Sequence, residues 1–361
     1  MRLHFDRPST EQRAALEQRF ERLHAPAGAL DALRRHLPLG ALGASDASDL
    51  EQPVRAVCTP MAHPPDRFVI RVDVETAASA TATYALKVYA DARGERIAAV
   101  YDVLARRWPA GGEPGPVCLP LAYVPSEYLS ISPWVHGRSL WSGITAGDTA
   151  LVEHAAAHAA ATLSWLHRTG PAPAPEPETS AEHIVAVSLA RCKRLCARWP
   201  EPEVVRTVRP LMAGLQAALP LLAPARPTLV HGDPGPGNFL WDGARWVLLD
   251  LDMFGYTDPA YDPGYLLAQV LRRCLENPPL DTHALELLAA LRSAYLTAMP
   301  EVAERNITFF YALTLVRKLY TVRKQQTDGW REVFAALARH ADAALREIHT
   351  KRTGSRSEVR A

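Results

Sequence analysis

The chain has 361 residues, enough for two lobes with sizeable cores. Its 40 basic and 39 acidic residues leave a formal charge of +1, which implies no general affinity for nucleic acid or an anionic membrane. No apolar run is long enough to span a bilayer, and the start Met1-Arg2-Leu3-His4-Phe5-Asp6 does not read as a secretory signal. The cysteines (Cys58, Cys118, Cys192, Cys196 and Cys274) are scattered and odd in number, which fits reduced thiols in a cytoplasm.

In chain order, Ser9 to His24 predicts a helix with Ser9 and Gln12 as a capping box, and Leu30 to His36 a second. Val54 to Cys58 and Phe68 to Glu75 alternate as strands, joined by a turn that includes Met61 to Asp66 and contains no glycine. Tyr84 to Tyr89 is a third strand, in which Lys87 is a lone cation among apolar residues. Unpaired burial of that cation would be costly, so it needs phosphates, an acidic partner, or a snorkelling position at a sheet edge. Gly94 to Leu104 has helical periodicity with Glu95 at its start. Val117 to Val124 and Tyr128 to Val135 read as the last two strands of this sheet.

Leu151 to Leu166 is an apolar-periodic helix on which His154 and His158 stand at i, i+4. Nothing nearby completes a metal site with them, and a solvated helix face is the simpler reading. Pro171 to Pro177 reads as a loop, and helical segments cover about 181 to 222 and 260 to 349. The polar, basic tail Thr350 to Ala361 is expected to be disordered.

The most informative stretch is His231-Gly232-Asp233-Pro234-Gly235-Pro236-Gly237-Asn238, followed by Leu249-Asp250-Leu251-Asp252. A hydroxyl attacking a γ-phosphate needs a group to orient it and accept its proton, and Asp233 can do both. A triphosphate also calls for Mg²⁺, whose preference for hard oxygen ligands suits the Asn238 amide oxygen and the Asp250 carboxylate. Asp242-Gly243 between two apolar runs predicts a hairpin, which would fold Asp250 back toward Asn238. His231 is expected to be structural, its ring bonding backbone near Asp250.

Protein kinases carry a His, a base Asp, an Asn five residues later and a further metal-binding Asp in this order. The form found here, with Gly232 in place of Arg, resembles the aminoglycoside phosphotransferase and choline kinase superfamily. The resemblance spans about residues 50 to 349, and the block from 229 to 264 is its specific part. It implies an α+β, bilobal, protein-kinase-like fold with a small antiparallel-sheet N-lobe and a mainly helical C-lobe. The expected divisions are a helical extension at 1–49, a nucleotide lobe at 50–135, a catalytic and acceptor lobe at 136–349, and the tail at 350–361. Within the resemblance Lys87 meets the α- and β-phosphates. Glu95 pairs with Lys87, or else is a plain first-turn acid stabilised by the helix dipole. The hinge from Ser132 through Trp134 to His136 binds adenine through backbone groups. Asp262, in Asp258-Pro259-Ala260-Tyr261-Asp262, is a buried structural acid, and Thr257 departs from the family's usual Gly. Asp252 is a supporting or second-metal group, or a solvated residue. The missing Gly-rich turn leaves open how the triphosphate is covered, and with it the choice of nucleotide.

The leading expectation is an ATP- and Mg²⁺-dependent kinase acting on a hydroxyl of a small molecule, without nucleic-acid or membrane partners. A peptide Ser or Thr is the alternative acceptor. A pseudokinase would be expected to lack the base or a metal ligand, and Lys87, Asp233, Asn238 and Asp250 are all present. A glycosyltransferase reading of Asp250-Leu251-Asp252 leaves Lys87 and the catalytic loop unexplained. Basic residues from Arg191 to Arg209 and from Arg317 to Lys324 are either a solvated face or the sign of a neutral or anionic acceptor.

Overall fold

The computed structural model describes residues 8–37, 53–76, 81–107, 116–168, 179–277 and 281–357. The chain divides into two compact units, His4–His136 and a second made chiefly of Gly137–Ala361.

The first unit opens with helices α1 (Thr10–His24) and α2 (Pro26–His36). Ser9 caps α1: its hydroxyl accepts from the Gln12 N–H at 3.1 Å, and the Gln12 side chain accepts from the Ser9 N–H at 2.7 Å. Strands β1 (Pro53–Ala62), β2 (Arg67–Thr76) and β3 (Thr81–Tyr89) follow, then helix α3 (Arg93–Arg106) and strands β4 (Ala122–Val124) and β5 (Leu129–Pro133). All pairings are antiparallel, in the order β1-β2-β3-β5-β4. The strand expected over 117–124 shortens to β4, because Pro120 has no N–H for the ladder.

Alternation puts Phe68, Ile70, Val72 and Val74 of β2, Tyr84, Leu86 and Val88 of β3, and Leu129 and Ile131 of β5 into one core. Leu16 and Leu23 of α1 and Leu30 and Leu33 of α2 belong to the same core. The helices expected as a separate extension at 1–49 are thus part of the sheet unit over 10–36, and residues 38–52 lie outside the described residues. The physical reason is the apolar sheet face, which without this cover would meet water at ~1.5–3 kcal/mol per large side chain.

In the second unit, β6 (Arg138–Ser139), α4 (Leu140–Ala146), α5 (Thr149–Arg168), α6 (Ala181–Arg198) and α7 (Pro202–Ala218) come first. The Pro171–Pro177 loop lies outside the described residues. Short strands β7 (Thr228–Val230), β8 (Phe239–Trp241), β9 (Trp246–Leu248) and β10 (Gly255–Thr257) frame the segment from His231 to Asp252. They form two small sheets, β6-β8-β9 and β10-β7. Helices α8 (Tyr261–Leu275), α9 (Asp281–Ala298), α10 (Glu304–Gln325) and α11 (Trp330–Ser357) complete the unit. α8 can lie close to α10 because Gly264 has no side chain: a Cβ there would sit 2.8 Å from Phe310 Cβ and from the Tyr311 amide nitrogen.

The tail expectation is corrected in part. Helix α11 runs on through Ser357, where disorder was expected from Thr350. Extending an established helix costs little per residue, and the Thr350 hydroxyl bonds back to the carbonyls of Arg346 and Glu347.

Candidate active site

The chain leaves β7, which pairs with β10 through Val230 and Gly255, directly into His231-Gly232-Asp233. This turn is held from below by Asp262 in the first turn of α8. Its carboxylate accepts the His231 N–H at 2.7 Å and the Gly232 N–H at 2.9 Å, and His167 Nε2 lies 2.9 Å away. Asp262 is fully buried. Three donors supply what water would otherwise provide. His167 Nδ1 in turn lies 2.7 Å from the Tyr295 hydroxyl, so a buried chain of hydrogen bonds joins α5, α9, the loop and α8.

Gly232 has φ +84°, and a Cβ there would fall 1.9 Å from the Met253 carbonyl oxygen. Only glycine fits both the left-handed backbone and the contact. His231 Nδ1 accepts from the Asp233 N–H at 3.3 Å, which makes Nε2 the protonated nitrogen, and Nε2 donates to the Leu249 carbonyl at 2.8 Å. The ring therefore ties the loop to the residue before Asp250.

The hairpin predicted from Asp242-Gly243 forms, with Phe239 opposite Leu248 and Trp241 opposite Trp246. Gly243 takes φ +103°, and Asp242 accepts from the N–H groups of Ala244 and Arg245. At the open end of the hairpin the Leu249 N–H donates to the Asn238 carbonyl at 2.8 Å. Asn238 and Asp250 are thereby brought together at the base of two paired strands. The Asn238 amide nitrogen donates to the Asp233 carbonyl at 2.9 Å, which leaves its side-chain oxygen for a ligand. Asp250 sits at φ +65°, a backbone state that costs a non-glycine residue about 1–3 kcal/mol and tends to occur at functional sites. Asp252 follows, buried in a short 3₁₀ turn.

On its other side Asp233 faces α8 and α10. Asp233 is a hydrogen-bonding neighbour of Tyr265, and burial together with this carboxylate pushes the Tyr265 hydroxyl well above its ordinary pKa. The same hydroxyl accepts from Lys318 Nζ at 3.1 Å and from Gln269 Nε2 at 3.1 Å. One helical turn away, Arg317 donates to the Tyr261 hydroxyl at 2.9 Å. Arg191 of α6 donates to the Thr321 hydroxyl at 3.4 Å and stacks over the Tyr320 ring at 5.0 Å. Burial pushes the Lys318 ammonium down to about 7, against the pull of Asp233.

Four of the sequence-predicted residues lie in the sheet unit. Lys87 stands in β3, opposite Val69 and Ser130, with Nζ 5.4 Å from the centre of the Tyr89 ring. Glu95 is exposed in the first turn of α3. Near this turn buried Arg93 bonds Asp66 at 2.6 Å and Asp91 at 2.8 Å. Ser132 pairs with Ala85 in the β3–β5 ladder, and the Trp134 N–H donates to the Thr83 carbonyl at 2.9 Å. That donor is already engaged within the sheet.

Sequence reading missed Tyr265, Tyr295 and the tie between His167 and Asp262. The available signal for Tyr265 was its i, i+4 spacing from Tyr261 on α8. His154 and His158, weighed as metal ligands, bond each other through Nε2 at 2.9 Å, while His154 Nδ1 accepts from Trp246 at 3.2 Å. The pair is accounted for by packing.

A family model described as "Phosphotransferase enzyme family" matches residues 69–305, from β2 into α10. The chain belongs to the phosphotransferase enzyme family. Solved structures agree on the fold of this phosphotransferase. A choline/ethanolamine kinase family protein from Mesorhizobium loti superposes with a TM-score of 0.55 at 15% identity, covering 91% of this chain and 94% of that one. A choline kinase from Cryptosporidium parvum gives 0.56 at 13% identity, covering 90% and 96%. A thermostable mutant of aminoglycoside phosphotransferase APH(4)-Ia gives 0.53 at 16% identity, covering 81% and 95%. No curated protein sequence matches. The fold is protein-kinase-like, with the small antiparallel sheet and the mainly helical remainder that the sequence motif implied. Among the described residues no helix is long and apolar enough to cross a membrane.

Proposed function

We propose that this phosphotransferase moves the γ-phosphate of a Mg²⁺-bound nucleotide, ATP in the simplest case, to a hydroxyl of a small molecule. The observation that carries this reading is the convergence of Asp233, Asn238 and Asp250 at the base of one hairpin, with the intervening loop fixed through His231 and Asp262. Structural likeness to kinases of choline and of aminoglycosides supports the small-molecule acceptor, since those proteins are named for such compounds.

The donor set fits Mg²⁺. The Asn238 side chain donates through its nitrogen and leaves its oxygen as a ligand, and the Leu249–Asn238 backbone bond brings Asp250 to the same end of the hairpin. Among the described residues no cluster of three or more His, Cys, Asp and Glu could hold a metal. That suits an ion that takes one or two protein ligands and completes its shell with phosphate and water. Bound there, Mg²⁺ would neutralise charge on the β- and γ-phosphates.

The chain's own residues supply positioning. Asp233 would orient the acceptor hydroxyl and take its proton as the new O–P bond forms. The Asn238–Asp233 bond fixes the loop carbonyl, so base and metal ligands keep their spacing. Lys87 is assigned to the nucleotide phosphates from its place in the sequence pattern. Asp252 is assigned a supporting role beside Asp250.

Asp250→Ala is expected to lose Mg²⁺-dependent nucleotide binding together with activity, and Asn238→Ala to lose both more mildly. Calorimetry with and without Mg²⁺, paired with acceptor-stimulated ADP release, checks this. Equal Mg-nucleotide affinity in wild type and Asp250→Ala would remove the metal assignment.

A further inference from the structure

We propose that the acceptor of this enzyme is an anion: a small hydroxyl compound bearing a carboxylate or a phosphate ester, held by Arg191, Arg317 and Lys318 beside Asp233. This assignment rests on the kinase reading of the same site and adds the substrate class to it.

Two helices deliver the cations to one place, and a third anchors two of them. α10 contributes Arg317 and Lys318, which bond the hydroxyls of Tyr261 and Tyr265 one turn apart on α8. α6 contributes Arg191, bonded to Thr321 on α10. Electrostatic coupling links the groups: Arg317 acts on Arg191 and on Lys318, and Asp233 acts on both Arg317 and Lys318. Among the described residues every hydrogen-bond and ring partner of the three cations is neutral: two tyrosine hydroxyls, a threonine hydroxyl and aromatic rings. Arg272, the other cation felt by Lys318, already has an acid, Glu276 at 2.8 Å.

The charge balance then decides the ligand. Three partly buried cations meet one nearby carboxylate, Asp233. Cations withdrawn from water need a compensating anion, and among the described residues no second carboxylate bonds them. Protein neighbours instead hold their charged ends in place: Tyr261 and Tyr265 are themselves buried, and Gly264 lets α8 approach α10 closely enough for these bonds. A planar guanidinium pair and an ammonium fixed in this way match the oxygens of a carboxylate or phosphate ester. A polycation would meet like charge next to the base.

The test is a charge series on one carbon skeleton: glucosamine, glucose, gluconate and glucose 6-phosphate, each assayed for acceptor-dependent ADP release at saturating Mg-ATP. The expected order in kcat/KM puts gluconate or glucose 6-phosphate above glucose by roughly tenfold or more, and glucosamine last. The first two separate the carboxylate source from the phosphate source. Arg191→Gln and Lys318→Gln are expected to lower kcat/KM for the anionic member by roughly tenfold each, chiefly through KM. They should leave Mg-AMP-PNP affinity unchanged. If the skeleton is wrong and nothing is turned over, calorimetric binding of citrate decides. Wild type should bind it, and the double variant should bind it roughly tenfold or more weakly.

Preference for the amino sugar, or absence of citrate binding by wild type, overturns the anionic acceptor. A fall in Mg-AMP-PNP affinity in the variants also overturns it, since the cations would then serve the triphosphate. Each of these results leaves the kinase reading standing. A wild type that binds citrate but no Mg-nucleotide would instead remove the kinase reading.

Discussion

In the loop after β7, one buried carboxylate takes three donors, and the ring of His231 is bonded at both nitrogens. At the junction of α6, α8 and α10, three cations have only neutral hydrogen-bond partners among the described residues. The first region has spent its hydrogen-bonding capacity internally and gains rigidity from it. The second retains an electrostatic deficit that a ligand can remove. Asp233 stands at the boundary, its carbonyl bonded to Asn238 and its carboxylate beside Tyr265. Rigid support on one side and an unfilled charge requirement on the other are what a group needs if it is to position an incoming substrate.

The largest effect should come from the rigid side. Asp262→Ala leaves two loop N–H groups and His167 without their acceptor, and should destabilise the protein by about 3–5 kcal/mol. Denaturant unfolding of the full chain measures it, and an unchanged midpoint would mean that the network does not hold the loop. Activity should fall as well, because the loop would no longer fix Asp233.

These two sides were unequally legible in the sequence. The loop could be read because its chemistry demands particular residue types at short spacing: His231, Asp233 and Asn238 lie within eight positions, and Asp242-Gly243 announces the hairpin to Asp250. Its anchorage could not be read, since His167 lies 95 residues from Asp262 and Tyr295 lies 128 residues from His167. The basic run on α10 was visible as charge, but helical periodicity does not say which neighbour a side chain meets. Tyr265 supplies that information only once α8 is packed on α10. In the sheet unit the sequence did not show which side chain at the start of α3 turns inward. α3 begins at Arg93, which turns inward to Asp66 and Asp91 and leaves Glu95 on the exposed side of the same turn. The same limit hid the role of α1 and α2, whose apolar residues fit the sheet face without any short motif marking the match.

A smaller effect should appear on the charge-deficient side. Lys318 is pushed down to about 7 by burial; around it stand Asp233, Arg317, Arg272 and Arg191, with Tyr265 in contact. A lysine is cationic below its pKa and neutral above it. Affinity for an anionic ligand such as citrate should therefore weaken as pH rises through about 7, while the two arginines stay charged. Calorimetry between pH 6 and 8.5 should give a falling profile in wild type and a flatter one in Lys318→Gln. A profile that rises with pH would contradict this placement of the charge.

The smallest effect belongs to Glu95→Gln, which removes an exposed first-turn acid. Stability should change by no more than about 0.5 kcal/mol. A loss of several times that amount would mean that Glu95 is paired.

The central claim is that Asp233 performs the transfer chemistry on a loop that the rest of the unit holds still. The direct measurement compares wild type with Asp233→Asn for acceptor-dependent ADP release and for Mg-AMP-PNP affinity. Turnover is expected to fall by about 10²–10⁴-fold, as for loss of a positioned general base, with nucleotide affinity nearly unchanged. Full turnover in Asp233→Asn would contradict the account.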